Sequence, residues 1–353
     1  YRSSITGRGQ MNLGSKSRKG FITGGTWCAD HNKLVKDWPK EEEVVEITEE
    51  TVRGGGSACN LAIDLKRLDP TIPVSTIGLV GEDEDGRLLI QEALAAGLDT
   101  TFLKRTDLSK TQRTDAYTAS SSGRRTHLYF AGTAAHLTPD HFDFTKSNAR
   151  FFHLGLPGVH EKLDKSWDQD PNGWVTVLKK AKTEGIITNL ELCSISAKKI
   201  YELVNPCLQF LDLLIVNDFE ICAISGMELN PEQPTDFDAC KAAARDVLRS
   251  GTMHLVAVHF PEGAFVYTRD GNFYSHPSVA IPETAIIGTN GAGDAFAAGF
   301  LYALHENMGI ETAIITGHAA AAASVRGIGT SDKVESFQRS REIANKWGWR
   351  DAF

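Results

Sequence analysis

The sequence lacks the features that most quickly set a chain apart from ordinary globular proteins. Among its 353 residues there is no apolar run of about 18, the length that a membrane-spanning helix needs. Asp and Glu outnumber Lys and Arg by 45 to 37, and the net charge of −8 argues against nucleic acid as the main partner. The six cysteines include no Cys-x-x-Cys pair and no Asn-x-Ser/Thr sequence is present, so reduced thiols in the cytoplasm are expected rather than disulfides or a zinc site.

The first 20 residues differ from the rest in composition. They carry five Arg or Lys, no acidic residue and few apolar side chains, and such a stretch is predicted to form a disordered tail. An acid-poor start also fits the remnant of a transit peptide, in which case the expected location is an organelle. Residues 21–353 are expected to form one large domain rather than two equal ones.

Residues 288–300 combine a glycine-rich turn, an acid and the start of an apolar helix. Two glycines in a tight turn allow successive N–H groups to point into one concavity before an almost wholly apolar helix. Unpaired amides and the positive dipole at a helix N-terminus bind anions. A carboxylate there repels a bound anion, so Asp294 fits a site in which it takes a proton while a phosphoryl group is held by the amides of Gly291, Ala292 and Gly293.

Three further expectations concern the same stretch. The β-rich run before the turn is predicted to end at Ile286 and Ile287, and the helix to begin at Asp294. Because a positive helix end stabilises a carboxylate, Asp294 is expected to be a weak base. In the competing interpretation the segment is only a turn, and its aspartate only caps the helix.

Polar residues at two earlier positions suggest a ligand crevice. Asp30 follows the first predicted strand, and residues in that position face the crevice of an open α/β sheet. Three consecutive glycines, 54–56, cost backbone entropy unless something approaches closely, and Asn60 can donate and accept hydrogen bonds together. Asp30 and Asn60 are therefore candidate ligands for vicinal hydroxyl groups, against the alternatives of an exposed turn and a flexible loop.

An amide and a carboxylate stand three residues apart after a later hydrophobic strand. Asn217 and Glu220 suit a hydrated Mg²⁺ ion, which keeps most of its waters and takes few protein ligands. The same spacing is common at helix caps, which is the alternative interpretation.

The patterns along the chain predict the architecture. From residue 151 onward strand-like and helix-like segments alternate, which favours a doubly wound, mostly parallel sheet with helices on both faces. Short β-like runs within residues 31–52 and a hairpin within 113–131 predict a separate small sheet.

The motifs resemble those of one family. The order Gly-Ala-Gly-Asp-Ala-Phe-x-x-Gly-Phe at 291–300 resembles the C-terminal signature of the ribokinase-like (PfkB) carbohydrate kinases, and residues 77–100 resemble their N-terminal signature. The resemblance spans about residues 21–332. It implies an α/β kinase with a small β lid over the acceptor sugar.

The resemblance also implies roles for individual residues. It makes Asp294 the base and Gly291, Ala292 and Gly293 the anion hole. It implies acceptor-binding residues at Asp30, Gly55, Gly56 and Asn60. It implies a nucleotide site at Asn217, Glu220, Gly263, His318 and Gly329, with Asn217 and Glu220 organising Mg²⁺ through water; a packed core histidine is the alternative at His318.

Four positions depart from the ribokinase pattern. Cys28 replaces a common Asn, which argues against a ribokinase-type sugar preference. Gly288 replaces an Asp, which argues against activation by potassium or another monovalent cation. Val258 and Phe260 replace the nucleotide-contacting Thr and Gly, and that segment is more similar to ketohexokinase.

The resulting prediction is an ATP-dependent sugar kinase that transfers the γ-phosphoryl group to a carbohydrate hydroxyl. A nucleoside kinase of the same fold and a catalytically idle sugar-binding sensor are the alternatives. The expected partners are ATP, Mg²⁺ and a small sugar, with no nucleic acid and no membrane. The exposed edge of the lid also allows a homodimer.

Overall fold

A computed structural model describes residues 17–227, 235–327, 329–331 and 333–353. The strands, numbered along the chain, are β1 Phe21–Gly25, β2 Cys28–Val35, β3 Ile47–Gly55, β4 Val74–Gly81, β5 Asp99–Thr106, β6 Arg113–Ala119, β7 Arg125–Phe130, β8 Phe151–Gly155, β9 Ile187–Leu190, β10 Leu213–Asn217, β11 Leu255–Phe260, β12 Gly263–Thr268 and β13 Phe273–Pro277. The helices are α1 Ser57–Leu68, α2 Glu84–Ala95, α3 Glu161–Asp164, α4 Gly173–Thr183, α5 Ala197–Val204, α6 Asp218–Ser225, α7 Phe237–Ser250, α8 Ala292–His305, α9 Ile310–Ser324 and α10 Phe337–Trp347.

The main sheet has nine strands in the order β13-β12-β11-β10-β9-β8-β1-β4-β5. The strands from β11 to β5 pair in parallel, and only β12 and β13 are antiparallel to their neighbours. One cluster of buried apolar side chains lies between the sheet and helices α1, α8 and α9, and a second lies beneath α4 to α7. The predicted parallel sheet with helices on both faces is confirmed. Its parallel strands all end at one edge, where ligands bind in such folds.

The small sheet has four strands in the order β3-β2-β6-β7. Its first hairpin, β2 with β3, begins at Cys28 and ends at Gly55, so it extends beyond the predicted limits of 31 and 52 at both ends. Strand β2 follows only two residues after β1 of the main sheet. The small sheet is therefore joined directly to the ligand edge of the large one, and we name it the lid.

The segment before α8 is not a strand, so the predicted β-rich run ending at Ile286 and Ile287 is wrong. A 3-10 turn follows Pro282, and the amides of Ile287 and Gly288 both donate to the carbonyl of Val325 at the end of α9. Because these two amides bond to the end of a helix, they do not pair with a neighbouring strand. The Ile287 side chain is 61% exposed. Helix α8 begins at Ala292, two residues before the predicted start.

The contacts of the domain begin before Phe21. Residues 1–16, most of the predicted tail, lie outside the described residues. Arg18 donates from its guanidinium to the carbonyls of Ser147 at 3.0 Å and Ala149 at 3.2 Å. Within the described ranges, every helix falls short of the length and apolarity that a membrane crossing requires.

Candidate active site

Two consecutive glycines, Gly55 at the end of β3 and Gly56 at the start of α1, shape the backbone beside Asp30. A Cβ built at Gly55 would overlap the carboxylate of Asp30, which lies on the neighbouring strand β2. Gly56 is the N-cap of α1 with a φ of 89°, a conformation that side chains disfavour. Glycine is therefore required at both positions, and the first turn of α1 opens toward the Asp30 carboxylate.

Helix α8 brings the second acid to the same place. Gly291 caps the helix with a φ of 76°, and Asp294 lies in its first turn. Asn60 of α1 donates from Nδ2 to Oδ2 of Asp294 at 2.8 Å, and Thr330 donates from Oγ1 to Oδ1 of Asn60 at 2.8 Å. The structure thus joins Asn60 to Asp294 across 234 residues of sequence. The predicted acceptor-binding and catalytic residues lie in one cleft.

Burial changes the proton affinity of both acids. It raises the pKa of Asp30 to about 6, with a further rise from the charge of Asp294 and a lowering from the Cys28 thiol, which donates to its Oδ1 at 3.3 Å. Burial also holds the pKa of Asp294 well above its usual range, and the charge and hydrogen bond of Glu191 raise it further. The expectation of a weak base is wrong, because desolvation outweighs the dipole of the helix terminus.

Glu191 is the site residue that sequence reasoning missed. It follows β9 directly, its side chain is only 16% exposed, and it forms a hydrogen bond with Asp294. Burial raises its pKa to about 7, with the charge of Glu220 acting in the same direction. A polar residue just past a strand end was the available signal, the same one that identified Asp30. The charge and hydrogen bond between them couple the titration of the two carboxyl groups.

A histidine fixes the orientation of Glu191. His153 of β8 is fully buried, and burial lowers its pKa to about 4, so the ring is neutral. Its Nδ1 accepts from Nδ2 of Asn189 at 3.0 Å, which leaves Nε2–H to donate to the carboxylate of Glu191. His153 and Asn189 are register partners on β8 and β9, so the sheet itself holds this tautomer.

We expect Glu191→Gln to move the acid limb of the kcat/KM profile to lower pH by about one unit or more. Removing a like charge and offering an amide donor both favour the ionised form of Asp294, so its pKa falls. The measurement is initial rate against pH between 5 and 9. Glu202→Gln, an exposed position on α5, is the matched control and should leave the limb in place. An unmoved limb in Glu191→Gln would show that the two carboxyl groups are not coupled.

Asn217 and Glu220 form a helix cap at the end of β10. The Glu220 amide donates to Asn217 Oδ1 at 2.8 Å, and the Asn217 amide donates to Glu220 Oε2 at 3.0 Å. Burial raises the pKa of Glu220 to about 7, and the charge of Asp294 adds to the rise, so the cap lies at the same cleft. No group of three potential metal ligands occurs in the described ranges. One carboxylate and one amide are the kind of donor set that suits a magnesium ion keeping most of its waters.

The remaining predicted nucleotide residues fall into two places. His318 is buried, and burial lowers its pKa to about 3; its Nε2 lies 3.2 Å from the carbonyl oxygen of His276. The same carbonyl oxygen lies beside Gly263, where a side chain would collide with the ring of Phe353. Gly329 instead lines a cavity of about 400 Å³ with Arg53 and Gly54, next to the Thr330 that binds Asn60.

These features together define a class of protein: a phosphotransferase with a ribokinase-like fold, in which an acid of raised pKa stands at a helix N-terminus beside a β lid. The sequence profile of the pfkB family carbohydrate kinases matches residues 25–336. The chain belongs to this family, and the predicted family, fold and enzyme class are confirmed.

Three similar proteins indicate how far the likeness extends. The adenosine kinase of Saccharomyces cerevisiae is 24% identical over 306 residues, covering 85% of this chain and 86% of its own. The ATP-dependent ribose-1-phosphate kinase of Halopiger xanaduensis is 26% identical over 310 residues, covering 86% and 92%. The structure of Arabidopsis thaliana ribokinase complexed with ribose and ATP has a TM-score of 0.75 at 20% identity, covering 93% of this chain and 99% of that one.

Proposed function

We propose that the protein transfers the γ-phosphoryl group of ATP to a hydroxyl group of a sugar or a simple sugar derivative. One observation carries the proposal: Asp294 is held by Asn60 at 2.8 Å, close enough to Asp30 for the charge of each acid to act on the other. A hydroxyl bound between these groups would have a proton acceptor and the amides of a helix N-terminus within one small cleft.

In this mechanism the acceptor is oriented before the reaction. Asp30 and Asn60 bind its hydroxyl groups, and the glycines at 55 and 56 let it approach the backbone. Asp294 takes the proton of the attacking hydroxyl, and its raised pKa makes it a stronger base than an exposed aspartate. The amides of Ala292, Gly293 and Asp294, the first turn of α8, stabilise the charge on the transferred group.

Magnesium would be held through water by Glu220 and Asn217. When bound, the ion neutralises phosphate charge and orients the polyphosphate for transfer. The capping box fixes the Glu220 carboxylate through Oε2, so its other oxygen is oriented for a water ligand. His318, Gly263 and Gly329 stay proposed nucleotide contacts, and the core packing of His318 favours an indirect role.

The three relatives differ in their acceptors, so family membership does not select one. The lid surface favours a sugar over a nucleoside. Along the face that carries Asp30, the cross-strand neighbours include Asn32, Ala116 and His127, and the ring of Tyr129 is tied by its hydroxyl to the carbonyl of Val159 at 2.8 Å. Polar side chains such as Asn32 and His127 suit sugar hydroxyl groups, and the Tyr129 ring on the same face is anchored at Val159.

The proposal is tested by measuring ADP release in a coupled assay over pentoses, hexoses, ketoses, sugar acids, sugar phosphates and nucleosides, with and without Mg²⁺. Acceptor-dependent ADP release that requires Mg²⁺ is expected. Release only with nucleosides would favour the nucleoside kinase, and binding of a sugar without any ADP release would favour the idle sensor.

A homodimer through the lid stays part of the proposal, as does a cytoplasmic location. Strand β7 ends the order of the lid sheet, and Leu128 and Phe130 are 52% and 43% exposed. We expect Leu128→Lys to convert a dimer into a monomer in sedimentation velocity, because a charge on an edge strand opposes pairing. Tyr201→Lys, at a side chain 48% exposed on α5, should have no effect. A wild-type protein that sediments as a monomer would contradict this.

A further inference from the structure

The alternation of side chains along the lid strands places Arg125, as well as Arg53 of β3, on the acceptor-facing surface. Asp30 of β2 pairs with Thr114 of β6, which pairs with Tyr129 of β7. Four residues farther along β2, Leu34 pairs with Thr118, which pairs with Arg125. Because side chains alternate with a period of two, Arg125 lies on the same face as Asp30.

The Arg125 side chain is anchored on this face of the lid. Its Nε donates to Oγ1 of Thr118 at 3.1 Å, which fixes the base of the guanidinium. Burial is the main influence on two nearby groups: it raises the pKa of Asp30 and lowers the pKa of His127. The positive charge of Arg125 lowers the pKa of both groups. The Arg125 guanidinium is therefore close enough to Asp30 to act on its carboxylate electrostatically.

On the opposite face of the lid, the cationic side chains are paired with carboxylates. There Lys33 forms ion pairs with Asp115 and with Glu50, the latter at 3.6 Å, and Arg113 reaches Asp115 at 3.0 Å. On the acceptor-facing side, Arg125 is half-buried, and no carboxylate oxygen of the described residues lies within 4.0 Å of its guanidinium nitrogens. A partly desolvated guanidinium that has no carboxylate partner is suited to bind an anion from outside, in bidentate geometry.

We propose that the acceptor carries a carboxylate or a phosphate remote from the hydroxyl that is phosphorylated, and that Arg125, with His127 beside it, binds this anion. The inference rests on the proposed function and narrows it from sugars in general to sugar acids and sugar phosphates. The alternative is that Arg125 only offsets the charge of Asp30. The two differ in consequence, because a charge offset would serve neutral and anionic acceptors alike.

The test compares acceptors in matched pairs, glucose with gluconate-type acids and ribose or fructose with their phosphates, using ADP release by the full chain. We expect wild-type kcat/KM to be higher for the anionic member of at least one pair. Arg125→Gln should raise KM for that acceptor about 20-fold or more, with kcat within about threefold and the neutral acceptor unaffected. Whether the preferred member is an acid or a phosphate identifies the anion. Arg125→Lys, which keeps the charge without the fork, should recover part of the loss.

Arg124→Gln, at the exposed neighbouring position, is the matched control and should behave as the wild type. Equal or better turnover of the neutral acceptors by the wild type would overturn the inference and leave the kinase function intact. An equal loss for both members of a pair in Arg125→Gln would do the same, since it identifies a charge offset. Absence of ADP release with every acceptor would overturn the proposed function, and the inference with it.

Discussion

Asp294→Asn should lower kcat roughly a thousandfold or more while leaving the affinity for ATP nearly unchanged. Asparagine keeps the shape of the side chain and can still accept the hydrogen bond from Asn60, which now measures 2.8 Å. It cannot take a proton at neutral pH. Because the lost interaction is made only as the hydroxyl attacks, the effect should fall on kcat and not on ground-state binding.

The measurement is steady-state turnover together with the ATP dissociation constant from calorimetry. Glu311→Gln is the matched control, since Glu311 is also an acid in the first turn of a buried helix, α9, but is exposed. It should retain wild-type turnover. An Asp294→Asn enzyme with near wild-type kcat would remove this residue from the proton transfer.

Gly291→Ala should lower kcat/KM for ATP about a hundredfold, the scale seen when an oxyanion-type donor is displaced. Gly291 has a φ of 76°, where a side chain costs about 1–2 kcal/mol. The added Cβ would also overlap the carbonyl oxygen of Thr330. Relief of that overlap must move either the amides at the start of α8 or the residue that hydrogen-bonds Asn60, and both belong to the proposed reaction centre.

The chain offers a close control for this substitution. Gly309 caps α9 as Gly291 caps α8 and has a φ of 84°, but no described atom lies within 4 Å of a Cβ built there. Gly309→Ala should lower the melting temperature through backbone strain alone, with kcat/KM within about twofold of the wild type. If both variants kept full activity, the amides around Gly291 would have no part in binding the phosphoryl group.

The strand–helix alternation was readable from the sequence because each parallel strand is a short apolar run and each crossover helix an amphipathic one. The same reasoning singled out Asp30, Asn60, Asp294 and the Asn217/Glu220 pair as candidate site residues, since residues at the carboxyl ends of parallel strands and the starts of the following helices gather at one edge. Local patterns failed at Ile286 and Ile287, where the backbone donors bond to the end of a distant helix.

The sequence by itself determined which residues are candidates for the chemistry, because tight glycine turns and an acid in the first turn of a helix are short local motifs. The sequence did not determine the pKa of Asp294, because that pKa depends on burial, which no local pattern reports, and on Glu191, about a hundred residues away. The same is true of Arg125: its face of the lid is set by strand register, and a shift of one residue would turn it to the other side. Contacts between residues distant in sequence exist only after the sheets have paired, so the pKa of Asp294 and the face on which Arg125 lies were decided by the tertiary structure.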